Sequence, residues 1–335
     1  MAALVRLLAP GGTDAVREPA AAALRSLCSN DNRIHRNSVR ECGGVAALVG
    51  LLAPGGTGAV REPAAAALCN LCSNDKRVHQ NSVRECGGEA ALVGLLTRGE
   101  TDAVHELAAG ALRSLCCCNV QSQDSVRECG GIAALVGLLA PGGSDAVREV
   151  IAGALAGLCA NNARNRDSVW ECGAAAALVG LLASGGTGAV RERAAAALEN
   201  LSWGDNARNV DSVRECGGVA ALVALLAPGG TDALHEYAAG ALKNLCCNDD
   251  ARNADSVHEC GGAAALVALL APGGSAAVHQ NVAKALFVLT NQCEQSREAV
   301  SACGGAAALK GVLACASSAA AHRWAGAALR NLAHV

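Results

Sequence analysis

Apolar residues recur at spacings of three and four, then break, and the pattern restarts at a fixed interval along the whole chain. The block Ala-Ala-Leu-Val begins at Ala2, Ala46, Ala90, Ala133, Ala176, Ala220 and Ala264, with Ala-Ala-Leu-Lys at Ala307, so one unit is copied eight times with a period of 43 to 44 residues. In the second copy, Val45 to Leu52 is apolar nearly all round, which predicts a helix buried on most sides that forms an inner wall. Ala53-Pro54-Gly55-Gly56 ends it, because proline cannot continue a helix and glycine accepts the left-handed cap conformation. Thr57 is placed to cap the next helix, as are Thr13, Thr101, Ser144, Thr187, Thr231, Ser275 and Ser318 in the other copies. That helix, about Gly58 to Cys72, puts Val60, Ala64, Ala67, Leu68 and Leu71 on one stripe and reads as amphipathic. A polar loop over Ser73 to Lys76 and a short helix near Val78 to Cys86, stopped by Gly87-Gly88, complete the unit. The expectation is three helices per unit, one short and two long.

Eight such units divide the sequence at about 1–42, 43–86, 87–129, 130–172, 173–216, 217–260, 261–303 and 304–335, the first lacking its short helix. The succession of a short helix, Glu-Cys-Gly-Gly, Ala-Leu-Val-x-Leu-Leu, a Gly/Pro break and Val-x-Glu-x-Ala-Ala-x-Ala-Leu-x-Asn-Leu resembles the armadillo repeat over essentially the whole chain. The resemblance implies an all-α fold, a right-handed α-solenoid superhelix of about eight repeats with third helices lining a concave groove. The Gly-Gly step argues against the two-helix HEAT alternative.

Columns that vary among the copies are those that stacking leaves free. One runs Pro19, Pro63, Leu107, Val150, Arg193, Tyr237, Asn281, Trp324; seven residues on, along the same helix face, comes Ser26, Asn70, Ser114, Gly157, Asn200, Asn244, Val288, Asn331. An Asn amide offers both donor and acceptor to an extended peptide. Helices stacked at roughly 10 Å match about three extended residues of roughly 3.3 Å each. In armadillo relatives that carry nuclear cargo, this Asn works with a Trp one turn earlier, and the resemblance transfers that role to Asn70, Asn200, Asn244 and Asn331. The Trp column here reads Ala22, Ala66, Gly110, Gly153, Ala196, Gly240, Lys284, Ala327, so a cargo receptor of that type is disfavoured. The candidate partner-binding set is therefore Asn70, Asn200, Asn244, Asn331, Ser26, Ser114, Arg193, Tyr237, Asn281 and Trp324. A further column, Arg17, Arg61, His105, Arg148, Arg191, His235, His279, His322, reads as a surface partner for the Glu that usually follows.

Composition removes other classes. A net charge of -3 gives no field that would draw nucleic acid. Gly, Pro and charges interrupt every apolar run well short of the roughly 20 residues a membrane span needs. Met1-Ala-Ala-Leu-Val-Arg matches the internal copies and reads as repeat, not signal peptide. The 18 cysteines follow the repeat: Cys42, Cys86, Cys129, Cys172, Cys216, Cys260 and Cys303 precede the Gly step, and Cys28, Cys72, Cys116, Cys159 and Cys246 end third helices. Both columns are expected to be small buried side chains in a reducing compartment, the cytosol or the nucleus. Cys69-Asn70-Leu71-Cys72 and Cys116-Cys117-Cys118 lack the second ligand pair of a zinc site, the Pro-Gly-Gly-Thr turns lack the ending of a phosphate loop, and no His accompanies a nucleophile signature.

The expectation is a non-catalytic scaffold, without cofactor, metal or small-molecule substrate, that binds a protein or peptide segment along its third helices. The alternative is the substrate-recognition or targeting part of a larger enzyme such as a ubiquitin ligase, to which such arrays are sometimes fused. A structural spacer is a third reading.

Overall fold

The computed structural model describes residues 1–29, 33–73, 77–140, 143–183, 186–204, 206–247, 251–315 and 318–333; positions 74–76 of the expected polar loop lie outside them. Among the described residues the chain is helical throughout and holds no strand. It divides into two compact units, Met1–Cys172 and Gly173–Val335.

In the first unit the second helices are α1 (Ala2–Leu7), α4 (Gly44–Leu51), α7 (Gly88–Leu96) and α10 (Gly131–Gly137). The third helices are α2 (Asp14–Ser29), α5 (Gly58–Cys72), α8 (Asp102–Cys116) and α11 (Asp145–Cys159), and the short ones α3 (Arg33–Glu41), α6 (Arg77–Glu85), α9 (Val120–Glu128) and α12 (Ala163–Glu171). Third helices pack in order, α2 on α5, α5 on α8 and α8 on α11. Leu24, Leu68, Leu112 and Leu155, one column, are fully shielded there, each burial stabilising by about 1.5–3 kcal/mol. With almost no aromatic volume in the core, Ala columns beside these leucines let the helices approach closely.

The second unit repeats the plan. Its second helices are α13 (Ala174–Ala183), α16 (Gly218–Ala224), α19 (Gly262–Ala268) and α22 (Gly305–Ala314); its third helices are α14 (Gly188–Leu201), α17 (Asp232–Cys246), α20 (Ala276–Gln292) and α23 (Ala319–Leu332). Short helices α15 (Ala207–Glu215), α18 (Ala251–Glu259) and α21 (Glu294–Ala302) join them. The third helices again pack α14 on α17, α17 on α20 and α20 on α23, around Leu198, Leu242 and Leu286.

Local signals act largely as their chemistry requires. Thr101, Ser144, Thr187, Thr231, Ser275 and Ser318 accept from the amide three residues on. Thr57 does not, and its hydroxyl donates instead to Asp14 Oδ2 at 2.6 Å, across to the preceding third helix. At the Gly-Gly step, Gly43 adopts φ 78°, and a Cβ on Gly44 would come within 2.7 Å of Val39 Cγ1. The first glycine is needed for conformation and the second for contact.

Three expectations are corrected. The second helices are an outer layer, not an inner wall buried on most sides: Ala46, Gly50, Ala133, Gly137, Ala220 and Ala224 are exposed. Ala and Gly present so little apolar area that exposing them costs little, so an apolar run need not be a buried one. Conversely α5 is buried nearly all round, Pro63, Ala65 and Ala66 included, because neighbouring third helices cover the flanks of its stripe. The cysteine columns separate. Cys28, Cys72, Cys116, Cys159 and Cys246 are buried, whereas Cys129, Cys216, Cys260 and Cys303 are exposed at the Gly-Gly step, where a small residue is tolerated without being enclosed.

Candidate functional site

The polar side chains of each unit tie helix ends together before any are left for a partner. Arg36 on α3 donates from Nε to the Cys28 carbonyl at 2.9 Å and from Nη1 to the Ser73 carbonyl at 3.2 Å, and so joins the ends of two successive third helices. Gln80 Nε2 reaches the Ser114 carbonyl at 2.8 Å, and Gln123 Nε2 the Cys116 and Gly157 carbonyls at 3.2 and 2.9 Å. These satisfy carbonyls that a helix C-terminus leaves without partners. The sequence reading passed over this column; its signal was the exchange of Arg for Gln, which share only an N–H donor on a long stem.

The Arg/His column does the same at the ends of the second helices. His235 Nε2 lies 3.2 Å from the Ala227 carbonyl, His279 Nε2 3.3 Å from Ala271, His322 Nε2 3.0 Å from Cys315, and Arg17 Nη2 donates to Ala9 at 2.9 Å. For His105, His235 and His279, which are buried, the expected surface pairing with the following residue is corrected accordingly, while Arg61 and Arg148 do form ion pairs, with Glu100 and Asp145.

The candidate residues fall into two separate sets. In the first unit, Ser26, Asn70 and Ser114 stand at one register position of α2, α5 and α8. The Ser26 hydroxyl donates to the Ala22 carbonyl within its own helix, and Asn70 Nδ2 to the Arg25 carbonyl of the preceding third helix at 3.3 Å. The two other columns of this unit are small or apolar, Pro19, Pro63, Leu107 and Val150, then Ala22, Ala66, Gly110 and Gly153, and of these Pro63, Ala66, Gly110 and Gly153 are buried.

In the second unit, Arg193 and Asn200 stand on α14, Tyr237 and Asn244 on α17, Asn281 on α20, and Trp324 and Asn331 on α23. Asn244 Nδ2 donates to the Glu199 carbonyl at 2.8 Å and Asn331 Nδ2 to the Phe287 carbonyl at 3.3 Å. One side of each amide thus clamps the preceding helix. Asn281 has both ends engaged, donating to the Glu236 carbonyl at 3.2 Å and accepting from Lys243 Nζ at 3.1 Å. Lys243 also lies 3.6 Å from Glu199 Oε1 and 5.9 Å from the Trp203 ring centroid. Burial lowers the pKa of Lys243 against the pull of Glu199, and burial raises that of Glu199 against the pull of Lys243. Burial likewise raises that of the Tyr237 phenol, with the Arg193 guanidinium opposing it.

Further on, Phe287 and Trp324 pack with ring centroids 5.3 Å apart, Lys284 Nζ stands 5.1 Å from the Trp324 centroid, and Arg323 Cζ 4.6 Å from it. Trp203 is half exposed. Four of the five aromatic residues in the chain therefore sit on or beside third-helix columns of this unit. Lys243, Lys284, Phe287 and Trp203 were not in the candidate set. Lys284 was legible as a departure from a column otherwise held by Ala and Gly.

Among the described residues no group of three or more His, Cys, Asp or Glu is placed to hold a metal ion. Burial pushes the Cys28 thiol up to about 11 and the Cys159 thiol to about 12, which suits packing, not nucleophilic work. No described helix is long and apolar enough to cross a membrane.

A search of curated proteins found no match to this sequence. The profile of the Armadillo/beta-catenin-like repeat matches residues 33–73, 119–160 and 206–247. Among solved structures, a crystal structure of an engineered protein is similar at a TM-score of 0.90 and 27% identity, covering 99% of this chain and 78% of that one. Computationally designed armadillo repeat proteins for modular peptide recognition are similar at 0.66 and 25%, covering 72% of this chain and 98% of theirs. Each matched segment holds one short, one second and one third helix in that order. The three-helix unit that this chain repeats is the armadillo repeat, and the chain is an array of it.

Proposed function

We propose that the chain is a non-catalytic scaffold that holds an extended segment of a partner protein along its third helices, with the second unit, α14 to α23, as the principal site. The observation that carries this reading is that Arg193, Tyr237, Lys284, Phe287 and Trp324 gather on the third helices of this unit, in a chain whose aromatic content is only 1%. Aromatic and cationic anchors are what peptide contacts use. The likeness to proteins designed for peptide recognition supports it. With Nδ2 of Asn331 held by the helix behind, its Oδ1 is left as the acceptor that a peptide N–H would use, at about 0.5–1.5 kcal/mol for the bond, whereas Asn244 is 6% exposed and serves the packing of α17 on α14.

The test is selection of displayed random peptides on the immobilised chain, followed by titration against variants. Binding of enriched peptides should weaken by roughly tenfold in Tyr237→Ala, a loss of about 1.4 kcal/mol, and stay level in Ala220→Arg on the outer layer. Failure to enrich any peptide, or sensitivity to Ala220→Arg alone, would remove the third-helix face from the function.

A further inference from the structure

The charge of the third helices changes along the second unit. α14 carries Glu192 and Glu199 and α17 carries Asp232 and Glu236, while α20 and α23 contain no carboxylate at all. At the position just before the Tyr237 column, Glu18, Glu62, Glu106, Glu149, Glu192 and Glu236 give way to Gln280 and then to Arg323. Lys284, Arg323 and Arg330 remain on these last two third helices, and among the described residues none of the three lies within ion-pair distance of an acidic group. Two of them flank one ring: Lys284 Nζ is 5.1 Å and Arg323 Cζ 4.6 Å from the centroid of Trp324, whose other neighbour is Phe287. Cations gathered on an aromatic ring gain some stabilisation from its face. Their charge is not neutralised by it. Burial first lowers the pKa of Lys243, Glu199 raises it, and Lys284 lowers it further.

We infer that α20 and α23 dock an acidic segment of a partner protein, its carboxylates on Lys284, Arg323 and Arg330 and an apolar side chain against Phe287 and Trp324. This rests on the reading of the third-helix face as a peptide site and adds the sign of the peptide's charge. An alternating sequence fits best. Successive side chains of an extended segment point to opposite sides, and every second one would meet the Phe287–Trp324 surface. A basic segment would face two uncompensated cations within reach of one ring, an arrangement that selects against it.

The experiment measures fluorescence anisotropy of the full chain with labelled peptides of four Asp-Leu, four Ser-Leu or four Lys-Leu pairs, and with a single-stranded oligothymidine. The Asp-Leu peptide is expected to bind at least tenfold more tightly than the Ser-Leu peptide, with the Lys-Leu peptide weakest, and to weaken steeply with added salt. Lys284→Gln combined with Arg323→Gln should remove that preference while helicity by circular dichroism stays unchanged, and Lys284→Arg should retain it. Peptides that bind without charge preference, or acidic binding indifferent to the double variant, would overturn the inference and leave the peptide site standing. Absence of binding by every peptide to a chain that also enriches none from a random library would overturn both. An oligothymidine bound more tightly than the Asp-Leu peptide through the same two cations would replace the acidic partner with a nucleic acid.

Discussion

A single carboxylate sits where the repeat places an apolar residue. Glu89 on α7 occupies the column of Val45, Ile132 and Val219, is 1% exposed, and neither of its oxygens meets a partner in good hydrogen-bond geometry among the described residues. Burial raises its pKa above the ordinary 4.5, opposed by its own backbone amide, the Ser122 hydroxyl and the Arg84 guanidinium. The folded state therefore binds the proton more tightly than the unfolded chain. The third repeat gains that stabilisation at pH below 4.5 and loses it as pH rises through the raised folded-state value. Glu89→Val should stabilise the array at neutral pH by about 1–3 kcal/mol, the usual cost of an unsatisfied buried polar group. Glu89→Gln should flatten the same pH dependence without filling the column. Urea midpoints of the three chains between pH 4 and 8 decide the matter: equal slopes for wild type and Glu89→Gln would mean that the carboxyl is paired or hydrated.

At the scale of helices, most of the architecture was legible, because periodicity and punctuation are backbone properties shared by all eight copies. Thr231 and Ser275 cap where they were placed, and Gly43-Gly44 breaks the chain where the pattern stops. What periodicity does not carry is which side of an all-apolar helix is covered. That depends on neighbours, and it misplaced α4 and the exposed Cys216 and Cys260. Nor does it carry the partner of a polar side chain, so His235 looked like half of a surface pair when it closes the end of α16 instead. The site residues on the two variable columns were readable as variation; Lys243 and Glu199 were not, because their pairing exists only across α14 and α17. The His235 contact makes a sharp prediction. A Cβ at Gly230 would lie 2.6 Å from His235 Nε2, so the imidazole holds this position because residue 230 is glycine. His235→Ala should cost about 1–2 kcal/mol, a lost hydrogen bond plus an unsatisfied carbonyl. His235→Arg should cost much less, since Arg17 serves Ala9 in the same way. Thermal unfolding that ranks the two substitutions equally would assign the effect to packing.

At the scale of the whole molecule, the repeats within each unit lean on their neighbours in sequence, and the stability of a unit becomes a chain of nearest-neighbour terms. The first unit carries its own reporters of this, for Cys28, Cys72, Cys116 and Cys159 are buried at the ends of α2, α5, α8 and α11. Burial raises all four thiol pKa values, so alkylation requires that the repeat open. Leu112 on α8 is fully shielded, and Leu112→Ala should remove about 2–5 kcal/mol from the third repeat and its two interfaces. In mild urea, alkylation followed residue by residue with mass spectrometry should then quicken most at Cys116, less at Cys72 and Cys159, and least at Cys28. The order follows from the packing of α8 on α5 and α11 and of α5 on α2. If instead all four thiols quicken by one common factor, the four repeats open as a single cooperative block, and the additive description of this unit fails. The exposed Cys117 and Cys129 react in every case and give the internal standard.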